Sequence, residues 1–155
     1  MGKILGIGNA LVDILVNVDD NFLTAQGLAK GSMQLVEKLR IEELMQKLNH
    51  ASFRQASGGS AANTIVGLSC LGAEAGYIGK IGHDNLGSFF AQDLQAQNIR
   101  THLLYSAQTD TGTALTLITA DSERTFATYL GAAVELGADD LNPSFFDGFS
   151  LLHLE

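Results

Sequence analysis

Three polar side chains in this sequence stand where they could act on a ligand: a carboxylate, an amide and a guanidinium. Asp13 lies in an otherwise apolar run, Asn63 follows a pair of glycines, and Arg124 opens a run rich in β-branched residues. A buried carboxylate or amide can hold the hydroxyl groups of a ligand, and a guanidinium can bind a phosphate. Together they are typical of a site for a hydroxylated or phosphorylated small molecule.

The glycine pair Gly58-Gly59 is the centre of this pattern. Neither glycine carries a Cβ, so the backbone can turn sharply there and approach a ligand closely. Ser60 follows, and we expect it to be the N-cap of a helix over residues 61–71. The free N–H groups of that helix would face whatever lies on the glycines.

Each of the three side chains also has a structural interpretation. Asn63 could cap or brace a neighbouring loop instead of binding a ligand. Asp13 could be a capped or solvated aspartate, although burial would strengthen its bonds to ligand hydroxyls. Arg124 could form a surface ion pair instead of contacting a substrate or phosphate. The residues alone leave these alternatives open.

Strands and helices alternate through the first two thirds of the chain. Short apolar runs predict strands over residues 3–8, 12–18, 32–36 and 76–81. Ile41, Leu44, Met45 and Leu48 recur at helical spacing and predict an amphipathic helix. The helix over residues 61–71 is apolar almost all round, so we expect it to be buried. Alternation of this kind predicts βαβ units around a parallel sheet.

Two further patterns complete the prediction. We expect Asp84 to cap a helix whose buried stripe is formed by Leu86, Phe89, Phe90 and Leu94. Residues 113–119 and 124–130 are β-rich runs separated by a four-residue turn and predict a hairpin. The tail over residues 149–154 is a last apolar strand, and nothing after it could cover that strand as a parallel sheet requires.

Composition excludes several function classes. The chain has 155 residues, is 46% hydrophobic and carries a net charge of −8. It can therefore bury an ordinary core, and its acidity disfavours nucleic acid or an anionic membrane as a partner. No apolar stretch is long enough to span a bilayer, and Cys70 is the single cysteine, so we expect a cytoplasmic protein with a reduced thiol.

Two other kinds of site are disfavoured. The four histidines are scattered without the spacing of metal ligands, so we predict no metal site in this chain. The run Gly6-Ile7-Gly8 suggests a dinucleotide-binding fingerprint, but Leu11 stands where its third glycine would be. A dinucleotide-dependent oxidoreductase is therefore disfavoured.

Several motifs resemble one known family. The stretch over residues 58–63, followed by Gly72 and by the run from Gly79 to Gly87, is similar to the first signature of the PfkB, or ribokinase-like, carbohydrate kinases. The similarity extends from residues 6–13 through 111–114 to 130–133 and favours the adenosine-kinase-like branch.

This resemblance implies an α/β fold, a ribokinase-like three-layer sandwich with a small β-sheet lid. The lid strands would lie near residues 10–18, 32–36 and 112–130. The implied function is ATP-dependent phosphorylation of a sugar or nucleoside hydroxyl, with ATP and Mg²⁺ as cofactors. The resemblance also implies which residues bind the substrate: Asn9, Asp13, Leu35, Gly58, Gly59, Ser60 and Asn63. Among these, Asp13 and Asn63 would hold the substrate hydroxyls. Arg124 would lie near the transferring phosphate.

One family motif is absent. The second signature, Asp-Thr-x-Gly-Ala-Gly-Asp, carries the anion hole and the catalytic base, and the run Asp110-Thr111-Gly112-Thr113 lacks its later glycine and aspartate. We therefore expect residues 1–155 to be the N-terminal part of one kinase domain, carrying the substrate-binding and lid half. They would contain no catalytic residue and be inactive alone. The alternative is a non-catalytic binding or dimerisation module that pairs through exposed lid strands.

Overall fold

The computed structural model describes residues 2–155 as two β-sheets with four α-helices. The strands and helices alternate much as predicted, with β4, β6 and the short helix α1 as additional elements. Their bounds are β1 Ile4–Ile7, β2 Leu11–Asn17, α1 Asp20–Ala25, β3 Met33–Leu35, α2 Lys38–Lys47, β4 Arg54–Gly58, α3 Ser60–Cys70, β5 Ala75–Ile81, α4 Asn85–Ala96, β6 Arg100–Tyr105, β7 Gly112–Ile118, β8 Arg124–Tyr129 and β9 Leu151–Leu154.

The first sheet is entirely parallel and has the order β6-β5-β1-β9. One of its faces packs against α3 and α4, where Tyr77, Ile65 and Phe90 are fully buried. Leu5, Ile7 and Ile78 lie on the opposite face and pack against the segment that follows β8, which forms three short 3₁₀ turns. The predicted βαβ units and the parallel sheet are confirmed.

The second sheet is mixed and has the order β3-β8-β7-β2-β4. The predicted hairpin is confirmed as the antiparallel pair β7 and β8, and β2 joins it in parallel register with β7. Val12, Ile14 and Val16 point into the core shared with α1 and α2 because alternate residues of a strand face opposite sides. Within residues 2–155, no helix packs on the other face of this sheet.

Two predictions about α3 are wrong. The N-cap is Gly59 and not Ser60, because Gly59 adopts the left-handed φ of +94° and Ser60 is already helical. The helix is also not buried all round. It packs against β1 and β5, so Ala61, Ala62 and Ile65 are buried, while Gly67 and Cys70 on the helix are exposed.

No helix within residues 2–155 has the length and apolarity needed to cross a membrane. Over the same residues, no cluster of three histidine, cysteine or acidic side chains is placed to bind a metal ion.

Candidate functional site

The free face of the second sheet carries its side chains in rows that cross all the strands. Directly paired residues of neighbouring strands point to the same side of a sheet. Asp13 pairs with Ala56 on one side and with Ala114 on the other, and the row continues through Thr128 to Leu35. Asp13 therefore lies on the free face next to the edge strand β4, and Leu35 lies in the same row on the opposite edge strand, β3.

The predicted substrate residues Asp13 and Leu35 are thus on one surface but not in contact. Three strand spacings separate them, or about 14 Å between backbones. Leu35 is 62% exposed, since no element of residues 2–155 covers this face. A ligand reaching both residues would lie across the sheet.

Asp13 is half-buried and its carboxylate is not satisfied by the protein. Burial raises the pKa of this carboxyl above its ordinary value of 3.8, and the positive charge of Arg124 partly opposes that rise. No residue of the described chain 2–155 donates a hydrogen bond that would offset the burial. The carboxylate oxygens are therefore free to accept hydrogen bonds from a ligand.

The Gly58-Gly59 turn lies directly against this carboxylate. A Cβ on Gly58 would be 2.6 Å from Asp13 Oδ1, so only glycine leaves room for the acid. A Cβ on Gly59 would overlap the carbonyl oxygen of Asn9, in the loop between β1 and β2. The two glycines therefore allow three parts of the chain to meet: the end of β4, the start of β2 and the loop before it.

Helix α3 starts at the same corner. Gly59 provides no side-chain cap, and its carbonyl oxygen accepts a hydrogen bond of 2.9 Å from the Asn63 N–H. Ser60 and Asn63 are both exposed on the first turn. Gly58 is thus in contact with Asp13, Gly59 with Asn9, and Asn63 with Gly59, so these predicted residues and Ser60 follow one another along a chain of contacts that begins at Asp13.

Arg124 lies on the same face as Asp13 but in a more distant row. Its row runs through Ile118 to Asn17. The row of Asp13 crosses β8 at Thr128, four residues further along that strand. Four residues of strand span about 13 Å. The side chain is exposed, and no acidic group within residues 2–155 forms an ion pair with it. The alternative of a surface ion pair is thus not observed.

A cavity of about 470 Å³ opens beside Leu35, and sequence reasoning did not assign it. It lies where β8 ends and the chain turns into the first 3₁₀ segment. The motif Leu130-Gly131-Ala132-Ala133 was a signal for it, because that motif supplies part of the wall. Its lining is Leu35, Val36, Glu37, Thr109, Thr128, Tyr129, Leu130, Gly131, Val134 and Glu135.

The motif around Asp84 has a structural role that joins the two sheets. Asp84 Oδ1 accepts the Gly87 N–H at 2.7 Å as the N-cap of α4, which confirms the predicted cap. Its Oδ2 accepts the backbone N–H of Thr111 at 2.7 Å, just before β7 begins. Burial by itself would raise the pKa of Asp84, but the hydrogen bonds from Thr111 and Gly87 lower it below 3.8.

Comparison with known proteins places these features in a family. A sequence model described as "pfkB family carbohydrate kinase" matches residues 28–154. The guanosine-inosine kinase of Escherichia coli (strain K12) is 32% identical, and the match covers 97% of this chain and 36% of that protein. Adenosine kinase 2 of Arabidopsis thaliana is 31% identical, over 85% of this chain and 39% of that protein.

Solved structures resemble the fold closely. The adenosine kinase of Sinorhizobium meliloti is 37% identical with a TM-score of 0.86, covering 99% of this chain and 46% of that one. A probable sugar kinase of Rhizobium etli CFN 42 is 34% identical with a TM-score of 0.88, again over 99% of this chain and 46% of that one. The predicted ribokinase-like α/β fold is confirmed, and the chain spans less than half the length of these proteins.

Proposed function

This chain belongs to the pfkB family of carbohydrate kinases, and we propose that the protein containing it transfers the γ-phosphoryl group of ATP to a hydroxyl of a nucleoside or sugar. The single observation that carries this proposal is the carboxylate of Asp13. It is half-buried, lacks a hydrogen-bond donor among residues 2–155, and lies against a glycine turn on an uncovered sheet face. Such a group is placed to hold hydroxyls.

Asp13 would bind the substrate through its ionised form. Two neighbouring hydroxyls can each donate to one carboxylate oxygen, and hydrogen bonds to a charged group are stronger than neutral ones. Asn63 would donate and accept from the first turn of α3. Asn9, Gly58, Gly59 and Ser60 would line the same corner with backbone groups and small side chains, which allows close approach of a ring.

The cavity beside Leu35 supports a nucleoside over a bare sugar. It lies along the row that starts at Asp13, so a sugar held by Asp13 could extend an attached base toward Leu35, Leu130 and Val134. These apolar side chains suit the flat face of a base. Bare sugars are the second candidate, because a fructokinase of Zea mays is also 30% identical over 66% of this chain.

The second sheet would act as the lid. Its strands fall within the predicted lid segments, with β4 as an additional strand. We propose residues 1–155 as the N-terminal part of one kinase domain. The base and anion hole would lie on chain outside these residues, because the Asp-Thr-x-Gly-Ala-Gly-Asp signature does not occur among them. Residues 1–155 alone would then be inactive.

ATP and Mg²⁺ are the cofactors that the family implies. Arg124 fits a role at the transferring phosphate, because it is an exposed cation without an acidic partner among residues 2–155 and lies on the face of Asp13. When bound, ATP supplies the phosphoryl group. The described residues contain no cluster suited to Mg²⁺, so they do not fit a magnesium site of their own.

Further proposals concern partners and location. Small-molecule substrates are the proposed partners, with no nucleic acid and no membrane. A homodimer through lid strands would use the edge strand β3, whose Met33 and Leu35 are 59% and 62% exposed. The exposed thiol of Cys70 suits the reducing conditions of the cytoplasm. Sedimentation of the intact protein would test dimerisation.

A panel assay tests the proposed function. The intact protein is incubated with ATP and Mg²⁺ and with single nucleosides or sugars, and ADP formation is measured. We expect turnover that depends on one of these substrates and no turnover by purified residues 1–155. Substrate-dependent ADP formation by the 155-residue chain would contradict the division of the site, and its absence in the intact protein would contradict the function.

A further inference from the structure

A second carboxylate on α4 holds the backbone next to the Gly58-Gly59 turn. Asp93 Oδ2 accepts a hydrogen bond of 3.1 Å from the backbone N–H of Ser57. Ser57 belongs to β4, which lies at the edge of the second sheet and, among residues 2–155, pairs with β2 alone. The Ser57 N–H points away from β2, so without Asp93 this edge donor would have no partner in the sheet.

The helix that carries Asp93 is firmly anchored in the core. Phe90 and Leu94 are fully buried on α4, and the ring of Phe90 packs against that of Tyr77 with a centroid distance of 5.8 Å. Asp93 lies between these two buried residues in sequence. Its carboxylate is thus fixed to the first sheet, while the N–H that it binds belongs to the second sheet.

A shift of Ser57 would be transmitted directly to the proposed substrate site. Gly58 is the next residue, and its Cα lies so close to the Asp13 carboxylate that no Cβ could fit between them. Gly59 follows and is held against the carbonyl oxygen of Asn9 by its left-handed φ of +94°. This corner is close-packed, so the position of β4 determines where the Asp13 carboxylate can lie.

Helix α4 makes the same kind of bond at a second crossing between the sheets. Asp84 at its start accepts the Thr111 N–H at 2.7 Å just before β7, and Asp93 accepts the Ser57 N–H where β4 leads into α3. One anchored helix therefore holds two of the points at which the chain passes between the sheets. Asp84 also caps its own helix, whereas Asp93 has no such second bond through its carboxylate among residues 2–155.

We propose that Asp93 is a positioning residue for the substrate site, which fixes Ser57 and thereby holds the Gly58-Gly59 turn against Asp13. This inference rests on the proposed kinase function. Asp93 itself does not touch the substrate. Its loss would loosen the corner that receives the substrate hydroxyls and leave the fold and the ATP site in place. The effect would therefore appear in the KM for the nucleoside or sugar.

The test compares three variants of the intact protein. Asp93→Ala removes the acceptor, Asp93→Asn keeps an acceptor oxygen, and Gln95→Ala changes an exposed residue of the same helix. We expect Asp93→Ala to raise the KM for the sugar or nucleoside about tenfold, which corresponds to about 1.4 kcal/mol. The KM for ATP should not change. Asp93→Asn should restore most of the affinity, and Gln95→Ala should match the wild type.

Three results would overturn the inference. The first is an unchanged substrate KM in Asp93→Ala, and the second is a substrate KM in Asp93→Asn that is raised as much as in Asp93→Ala. The third is a rise in the KM for both substrate and ATP together with a lower melting temperature, which would mean a general structural role. The proposed function fails differently. In that case the wild-type protein itself would form no ADP with any nucleoside or sugar, whereas an active wild type with an unaffected Asp93→Ala variant contradicts only the role of Asp93.

Discussion

The carboxylate of Asp13 occupies the space in which a side chain at residue 58 would begin. The Cβ position of Gly58 lies 2.6 Å from Oδ1 and 2.7 Å from Oδ2 of Asp13. The carboxylate of Asp13 on β2 thus fills the space left by the missing side chain of Gly58 on the paired strand β4. A substitution at Gly58 is therefore a sensitive test of this site.

Gly58→Ala in the intact protein should displace the Asp13 carboxylate and reduce kcat/KM for the substrate by about a hundredfold, since misplacement of a polar contact by one ångström can cost that much. Gly67→Ala is the matched control. Gly67 lies within α3 with nothing near its Cβ position, so alanine there should stabilise the protein by roughly 0.5–1 kcal/mol. Equal kinetics in the two variants would contradict the fitted corner.

Asp13→Asn should make the substrate-free protein more stable at neutral pH. The pKa of Asp13 is raised in the folded state, so its ionisation opposes folding as the pH rises from 3.8 through the higher folded value. Thermal melting as a function of pH should show the advantage of the asparagine variant disappearing as the pH falls toward 3.8.

The same variant should bind substrate less well, because asparagine offers one acceptor oxygen and no charge. Loss of a hydrogen bond to a charged group costs about 1.5–3 kcal/mol. Asp139→Asn, at an exposed position, is the control for a simple change of net charge. A lower melting temperature for Asp13→Asn at neutral pH would mean that the protein itself satisfies this carboxylate.

Asn63→Ala should raise the KM of the intact protein for its nucleoside or sugar without lowering its melting temperature. The side chain is exposed on the first turn of α3, and a neutral amide bond is worth about 1 kcal/mol, or roughly a fivefold change. Thr64→Ala, one residue further along the same turn, is the control. Early melting of Asn63→Ala with unchanged KM would favour the role of a structural brace.

Asp84→Ala should destabilise the fold by roughly 2–4 kcal/mol. The substitution removes the cap of α4 and the two hydrogen bonds that Asp84 accepts from Thr111, one from the backbone N–H and one from the hydroxyl. Asp19→Ala, which removes only the cap of α1, should cost about 1 kcal/mol. The pKa of Asp84 is lowered on folding, so its contribution is present above pH 3.8 and is lost as the pH falls through the lower folded value. Urea unfolding at a pH above 3.8 and at a lower pH measures both the size of the loss in stability and its dependence on pH. An equal loss of unfolding free energy in Asp84→Ala and Asp19→Ala would show that Asp84 does not join the two sheets.

Substrate should order the proposed lid. A lid that closes over a substrate excludes water and shifts the population toward closed states. We expect the cognate nucleoside or sugar to slow hydrogen exchange of the intact protein in residues 10–18 and 112–130, while α4 changes little. Unchanged exchange in both segments at saturating substrate would indicate a rigid, preformed site.

The sequence by itself determined the elements whose signals are local. The alternation of Val12, Ile14 and Val16 defines β2, and the turn over residues 120–123 defines the hairpin of β7 and β8. Asp84 was recognisable as a cap because a cap acts within its own first turn. The glycine pair was recognisable because a close backbone approach needs residues without a Cβ.

Only the tertiary structure decided how these elements meet. Strand β4 lacks an apolar period because it is an exposed edge, and its position depends on pairing with β2 and on a single bond to Asp93 from a distant helix. The row from Asp13 to Leu35 and the two-row offset of Arg124 depend on strand register. Two of the pairings that set this register, β2 with β7 and β3 with β8, join segments about a hundred residues apart in sequence. Local periodicity indicates which face a side chain takes, but long-range pairing decides which side chains share a row.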